Sequence, residues 1–168
     1  MYLMTIRPGN IEDLDQLRKL ALRSWSQFQD ELTPENWQQL FNILNNLETY
    51  TTLLDKADCI VCETAEKAIV GMAFLVPSGH ATEIYKSEWC IIRFLTVDPE
   101  YGSKGIGRQL TEKCIELAKS HNEQTIALHT SEMMNRARHI YERLGFTILR
   151  EIEPRFGKKY WLYTLDLA

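Results

Sequence analysis

A glycine-rich turn between an apolar, strand-like run and an amphipathic helix constrains this chain more than any other feature. It lies within Phe94 to Leu110, FLTVDPEYGSKGIGRQL. Glycine removes side chains where a backbone must bend, and the first amides of a helix have no carbonyl partners of their own. Such amides donate to phosphate oxygens, and the helix dipole assists them. The turn therefore predicts an anion site, and a phosphorylated cofactor is the expected occupant.

Two common phosphate-binding motifs fit this turn poorly. A nucleotide-hydrolysing P-loop places Lys and then Ser or Thr after its last glycine, whereas Gly107 is followed by Arg108 and Gln109. A dinucleotide-binding fold needs GxGxxG and an acidic residue about 20 positions later. The chain supplies one GxG, Gly105 and Gly107, without the third glycine. A phosphate-binding domain of another kind stays open.

The turn resembles the cofactor motif of the GCN5-related N-acetyltransferase (GNAT) family. In that motif a strand ends in Val-x-Pro and leads through a basic or polar turn and Gly-x-Gly into a helix. The matching residues here are Val97 to Pro99, Lys104 to Gly107, and Leu110. Gly102 departs from the pattern, because the family often has Gln or Arg there. This departure removes one side-chain contact to the cofactor and leaves the backbone donors in place.

A second segment, from Thr125 to Phe146, resembles another block of the same family. It reads TIALHTSEMMNRARHIYERLGF, with Asn135 six residues before Tyr141 and Leu-Gly-Phe at the helix end. Two independent blocks at the family's separation are hard to obtain by chance. The resemblance is firm from about Trp89 to Phe146 and extends weakly to both ends.

The resemblance implies an α/β fold of the GNAT type, with a mixed central sheet of about seven strands and helices on both faces. Periodicity and capping residues predict the same order, β-α-α-β-β-β-α-β-α-β-β. The predicted strands are 3–7, 59–64, 68–76, 89–97, 125–130, 146–152 and 159–167, and the predicted helices are 10–28, 33–47, 106–120 and 132–144. A single N-acetyltransferase domain over residues 1–168 is expected.

The implied cofactor is acetyl-coenzyme A as acetyl donor, and no metal is expected. In the family the sheet opens between the strand before the glycine turn and the strand after the following helix, and the pantetheine arm lies in this opening. The implied cofactor-binding residues are Leu95, Thr96, Val97, Ser103, Lys104, Gly105, Ile106, Gly107, Arg108, Asn135 and Arg138. Lys104, Arg108, Arg136 and Arg138 are candidates for a local basic groove.

Transfer of an acetyl group from a thioester to an amine needs a proton for the departing thiolate and an amine without its proton. Tyr141 stands at the family's Tyr position and is the candidate general acid, although the apolar stripe around it equally suits a packed Tyr. Glu88 is the candidate base, and Glu83 and His129 are alternatives to it. Neither Cys90 nor Cys114 has a His or a basic neighbour in a recognisable catalytic arrangement, which favours direct attack within a ternary complex over a covalent route.

The acceptor amine is expected between the N-terminal helices, the loop 77–88 and the C-terminal hairpin at 154–159. It is either a small-molecule amine or a protein amine. Strand alternation predicts Arg93 on the same face as Leu95 and Val97, where it binds an acidic substrate or pairs with a carboxylate. Tyr160 or Trp161 is predicted to be exposed and is a candidate for a homodimer contact.

Composition excludes several classes of protein. A net charge of −4 argues against nucleic acid and anionic membranes as partners. No apolar run reaches the length of a membrane span, and Met1 to Arg7 is too short and polar for a secretory signal. Cys59 and Cys62 would point to opposite faces of a strand, which favours reduced thiols over a metal site. These features predict a cytoplasmic protein.

The alternative function is a non-catalytic, acyl-CoA-binding regulatory module.

Overall fold

The computed structural model describes residues 3–167. Its strands are β1 (Met4–Pro8), β2 (Asp58–Thr64), β3 (Ile69–Val76), β4 (Cys90–Val97), β5 (Thr125–Ser131), β6 (Thr147–Arg155) and β7 (Lys158–Asp166). The α-helices are α1 (Leu14–Trp25), α2 (Pro34–Asn45), α3 (Leu47–Lys56), α4 (Ile106–Ser120) and α5 (Asn135–Arg143). The strands form one sheet in the order β1-β2-β3-β4-β5-β7-β6. Only β4 and β5 pair in parallel, so the predicted mixed seven-stranded sheet is confirmed.

The sheet separates two hydrophobic cores, as the prediction of helices on both faces requires. One face is covered by the N-terminal helices, through buried residues such as Leu17, Leu44 and Tyr50. The other face is covered by α4 and α5, through residues such as Leu110 and Tyr141. The strand residues alternate between the two cores: Cys59 belongs to the first and Cys62 to the second. All four cysteines are buried and free.

Capping residues fix where the N-terminal helices begin. The side chain of Asn10 accepts from the amide of Glu12, and its own amide donates to Asp13. Thr33 caps α2 through the amide of Asn36, with Pro34 in the first turn. Such caps satisfy amides that lack a helical partner. Thr33 therefore marks the start of α2 as predicted, whereas Asn10 caps a short 3-10 turn, Ile11–Asp13, that leads into α1 at Leu14.

The predicted helix at 33–47 ends at Asn45, and a further helix that was not predicted, α3, follows it directly. Asn46 takes an extended conformation with ψ of 116° and caps the next helix through the amide of Glu48. Leu47 is exposed at the start of α3 and does not continue the buried stripe of Leu40 and Leu44. The sequence analysis missed α3 because Asn46 fits a polar helix surface as well as it fits a cap.

A β-bulge in β4 changes the direction of its side chains. Phe94 has a positive φ of 55°, and two residues of β4 oppose one residue of β3 at this point. The bulge interrupts the alternation, so Arg93 lies on the side of the first core while Leu95 and Val97 pack against the second. The prediction that these three residues share a face is therefore wrong. A bulge inserts one residue and shifts every later side chain to the other face.

The C-terminal strand corrects a second prediction. Trp161, Tyr163 and Leu165 share one face, as alternation predicts, and pack with α4 and α5. Tyr160, predicted to be exposed, is 5% exposed and belongs to the first core. The guanidinium of Arg138 covers Trp161, with its central carbon 4.0 Å from the ring centre. A dimer contact through these aromatic rings has no support from this arrangement.

None of the helices within residues 3–167 combines the length and apolar character needed to cross a bilayer.

Candidate active site

The strands β4 and β5 separate in the middle of the sheet. They pair only at Cys90 with Ile126 and at Ile91 with Ala127, so the second half of β4 has no partner on that side. This half contains Leu95, Thr96 and Val97. Unpaired strand edges offer backbone donors and acceptors to a ligand. The opening between β4 and β5 therefore lies where the cofactor arm was predicted.

The glycine turn is held in place by Asp98. Its carboxylate accepts from the amide of Glu100 and from Nε of Arg23, both at 3.0 Å, and its own amide donates to Val70. The turn thereby has fixed contacts with α1 and β3. Ser24 of α1 adds a hydrogen bond to the carbonyl of Val97. The start of the turn is rigid for these reasons.

The predicted anion site lies at the end of this turn. Gly105 caps α4 with a left-handed φ of 75°, a conformation that glycine adopts at little cost. Within residues 3–167, the backbone amides of Ser103, Gly105, Ile106 and Gly107 make no hydrogen bond, whereas Gln109 begins the helical pattern by donating to Gly105. Gly107 is buried against Ile140 of α5. Four backbone donors thus stand at the N-terminus of a 15-residue helix.

A groove of about 310 Å³ runs from this turn towards the opening between the strands. We call it the loop groove. It is lined by Ser24, Gln27, Phe28, Leu95, Val97, Pro99, Gly102, Gly107, Met133, Met134, Asn135, Arg136, Ala137 and Ile140. Leu95, Val97, Gly107 and Asn135 were predicted for the cofactor. Ser103 and Lys104 are exposed beside them, while Thr96 is buried and bonds to the carbonyl of Phe94.

Among the basic residues, Arg136 rather than Arg138 faces the loop groove. A side chain at Gly102 would collide with Nη1 of Arg136, so this guanidinium fills the space that the missing side chain leaves. Arg138 lies on the other side of α5, where its Nε donates to the hydroxyl of Tyr163. Residues two apart on a helix point in different directions, which explains why Arg136 faces the groove and Arg138 does not. Arg108 is exposed and pairs with Glu112 at 2.7 Å.

A second cavity, of about 180 Å³, lies on the other side of Leu95. We call it the bulge cavity, because Phe94 and Arg93 form part of its wall. Its polar lining residues are Arg93, His129, Thr130, Tyr141, Arg155 and Tyr160, and its other lining residues are apolar. Leu95, Met134 and Ala137 line both this cavity and the loop groove. The two spaces are therefore neighbours that share a wall beside the opening between β4 and β5.

Tyr141 lines the bulge cavity and is buried on α5. Burial raises the pKa of its phenol, so the hydroxyl keeps its proton at neutral pH. The ring packs against Phe146, with centroids 5.6 Å apart. Its hydroxyl makes no hydrogen bond within the described residues, and it is not among the polar atoms sealed from solvent. This hydroxyl is available to a ligand in the cavity.

His129 is the candidate base that the fold brings to the cavity. Its Nδ1 lies 2.5 Å from the hydroxyl of Tyr85, which we assign as the donor because the imidazole is neutral. Burial, together with Arg93 and Arg155, lowers the pKa of His129 to about 3. Glu83 instead lines a neighbouring groove that it shares with Arg155.

Glu88, the first candidate for the base, does not lie at either cavity. It is exposed in the loop before β4 and lines neither the loop groove nor the bulge cavity. The structure therefore gives no support to its predicted role as the base.

Sequence reasoning missed three residues of the site: Tyr85, Thr130 and Arg155. Thr130 has a buried hydroxyl oxygen without a hydrogen-bond partner in the described part of the chain. Arg155 reaches the bulge cavity from the end of β6, 62 positions after Arg93. No local motif marks these residues, because only the sheet order brings them together. No group of three or more His, Cys, Asp or Glu within residues 3–167 is arranged to hold a metal ion.

Comparison with known proteins agrees with this architecture. The model of the acetyltransferase (GNAT) family matches residues 14–146, and the chain belongs to this family. The predicted family is confirmed.

An uncharacterized N-acetyltransferase of Methanocaldococcus jannaschii is 27% identical over 143 residues, which are 84% of this chain. The match spans 60% of that relative's length.

Two solved structures show the same fold. One is the PaiA N-acetyltransferase of Thermoplasma acidophilum in complex with coenzyme A, with a TM-score of 0.78 and 18% identity, covering 98% of this chain and 99% of the other. The other is a GNAT acetyltransferase of Staphylococcus aureus, with a TM-score of 0.71 and 20% identity, covering 99% and 100%.

Proposed function

We propose that this protein is an acetyl-coenzyme A-dependent N-acetyltransferase that transfers an acetyl group to an amine by direct attack in a ternary complex. The observation that carries the proposal is that the loop groove and the bulge cavity share Leu95 in their walls, with the unbonded hydroxyl of Tyr141 in the bulge cavity. One space suits a phosphorylated donor and the other suits an acceptor. The family membership and the fold support the same activity.

The described residues fit the donor. When bound, acetyl-coenzyme A supplies an activated acetyl thioester. The free amides at Ser103, Gly105, Ile106 and Gly107 would bind its pyrophosphate, and Arg136 adds positive charge beside them. The unpaired edge of β4 from Leu95 to Val97 would pair with the amide groups of the pantetheine arm. Lys104, Arg108 and Asn135 stay in this proposal as flanking contacts.

Tyr141 is the proposed general acid. Its buried phenol is neutral and donates its proton to the sulfur atom that leaves, which lowers the cost of expelling a thiolate. Leu95 and Ala137 form apolar walls beside this hydroxyl. No side chain is acylated in this scheme.

His129 is better suited to orienting the acceptor than to deprotonating it. An alkylammonium has a pKa near 10, and that of His129 is about 3. A difference of roughly seven units makes direct proton transfer unfavourable by about 9 kcal/mol. The proposed route therefore takes the amine in its neutral form, with the surplus proton leaving through water.

The test of this mechanism is Tyr141→Phe. The variant keeps the ring packing, so we expect an unchanged fold and unchanged affinity for acetyl-coenzyme A. The turnover number should fall at least about tenfold, since the leaving sulfur loses its proton donor. The alternative role as a regulatory module that only binds acyl-CoA predicts no turnover in the wild type. An unchanged turnover number in the variant would contradict the role of Tyr141.

We also propose one domain that works in the cytoplasm on a small-molecule or protein amine. The four buried thiols, all free, support a reducing compartment. Fractionation of cells that express the full protein tests this location: recovery in the membrane or secreted fraction would contradict it.

A further inference from the structure

The bulge cavity is positively charged inside a protein whose net charge is −4. Arg93 and Arg155 both line it, and within residues 3–167 no Asp or Glu does so. Neither arginine makes a hydrogen bond or an ion pair with another described residue. Two unpaired guanidinium groups facing one small space favour an anionic occupant.

Arg93 is half-buried beside an aromatic ring. It lies beside the ring of Phe94, with its central carbon 5.7 Å from the ring centre. Burial lowers the pKa of its guanidinium, and the nearby charge of Arg155 adds to this effect. A buried, unpaired cation destabilises a fold, so its presence calls for a ligand that neutralises it.

The same cavity is where the proposed acceptor amine must approach Tyr141. A simple ammonium ion would meet two like charges and no carboxylate there. An acceptor that also carries an anionic group would be attracted, and the planar forks of two arginines match a carboxylate. The neutral imidazole of His129 and the buried hydroxyl of Thr130 are further hydrogen-bonding groups in the wall.

We infer that the acceptor is an amine that bears a carboxylate, and that Arg93 and Arg155 bind this carboxylate within the bulge cavity. The inference rests on the proposed acetyltransferase function and specifies its substrate class. It favours amino acids and related acids over polyamines and uncharged amines.

The first test measures binding and does not depend on turnover. The full protein, saturated with coenzyme A, is titrated with the twenty amino acids, with their carboxamides and with phosphoethanolamine. The side-chain Nε signals of Arg93 and Arg155 are followed by NMR. We expect saturable shifts with at least one amino acid and with none of the amides. Absence of shifts with every amino acid, or shifts with phosphoethanolamine alone, would overturn the inference.

The second test measures specificity. Release of the free thiol of coenzyme A is compared for each amino acid and its amide. We expect kcat/KM to be at least about tenfold higher for the preferred acid, a difference of about 1.4 kcal/mol, and to lose this preference in Arg93→Gln and Arg155→Gln. Arg150→Gln is the matched control, because Arg150 is exposed on the same strand as Arg155 and lies outside the cavity.

The melting temperature distinguishes a binding role of Arg93 from a structural role. Removal of an unpaired buried charge relieves a desolvation cost, so Arg93→Gln should melt at the wild-type temperature or above it. A lower melting temperature with an unchanged preference for acids would assign Arg93 a structural role and overturn the inference. Failure of the wild type to bind acetyl-coenzyme A would count against the proposed function itself, independently of the arginine signals.

Discussion

Phe94 determines which side chains reach the bulge cavity. Its positive φ of 55° is unusual for a large residue, and two ring contacts hold it, with Tyr50 and Phe74 at centroid distances of 5.8 and 6.5 Å. Strained backbone of this kind occurs at functional sites when surrounding packing enforces it. Here the bulge moves Leu95 and Val97 to the other face of the sheet and leaves Arg93 on the side of the first core, where it lines the bulge cavity with His129.

The charge state of His129 gives a prediction about acid stability. Its imidazole takes a proton near pH 6.5 in an unfolded chain and near 3 in the folded protein. The unfolded state therefore binds more protons between these values, and the folded state loses stability as the pH falls through this window. The loss amounts to as much as about 1.4 kcal/mol per pH unit.

Urea denaturation of the wild type and of His129→Gln, from about pH 7 down to about pH 4, measures this effect. The wild type should lose stability more steeply on acidification than the variant, since Gln takes up no proton. Parallel pH dependences for the two proteins would show that His129 titrates normally in the folded state.

At the scale of elements, the site depends on the close packing of α4 on β3. A Cβ at Gly71 would lie 2.7 Å from Cγ2 of Ile106 and 3.0 Å from Cδ1 of Leu110. This contact sets the position of the N-terminus of α4, where the free amides stand. The separation of β4 and β5 then places the open strand edge beside these amides.

Gly71→Val tests this dependence. The added side chain must push α4 away from β3, so we expect a loss of about 1–3 kcal/mol in stability and weaker binding of acetyl-coenzyme A. Ala81→Val is the control, because Ala81 is exposed in the loop before β4. Wild-type affinity in folded Gly71→Val would show that the helix position is not critical.

Sequence patterns predicted elements better than they predicted residue contacts. The glycine turn, the Asn135 to Phe146 block and the alternation of β7 reflect local chemistry, and the structure has a turn, a helix and a strand there. The end of α2 before Asn46 was not predicted, because an Asn suits a helix cap and a helix surface equally. No local pattern encodes the packing between distant elements. This packing decides that Arg136 faces the loop groove in place of Arg138, and it brings Arg155 to the same cavity as Arg93.

For the whole molecule, charge and topology act together. An acidic chain encloses a cavity lined by two arginines beside a groove lined by free amides and Arg136. Ligands with anionic groups in both spaces would match this distribution. Surrounding negative charge would disfavour nonspecific binding of polyanions elsewhere on the surface.

Calorimetric titration tests the central claim most directly. Acetyl-coenzyme A, ATP and NAD are titrated into the wild type and into Gly107→Glu, which adds a carboxylate among the free amides of α4. The account predicts selective binding of acetyl-coenzyme A by the wild type, lost in the folded variant. No binding of acetyl-coenzyme A, or stronger binding of ATP or NAD, would contradict the assignment as an acetyltransferase.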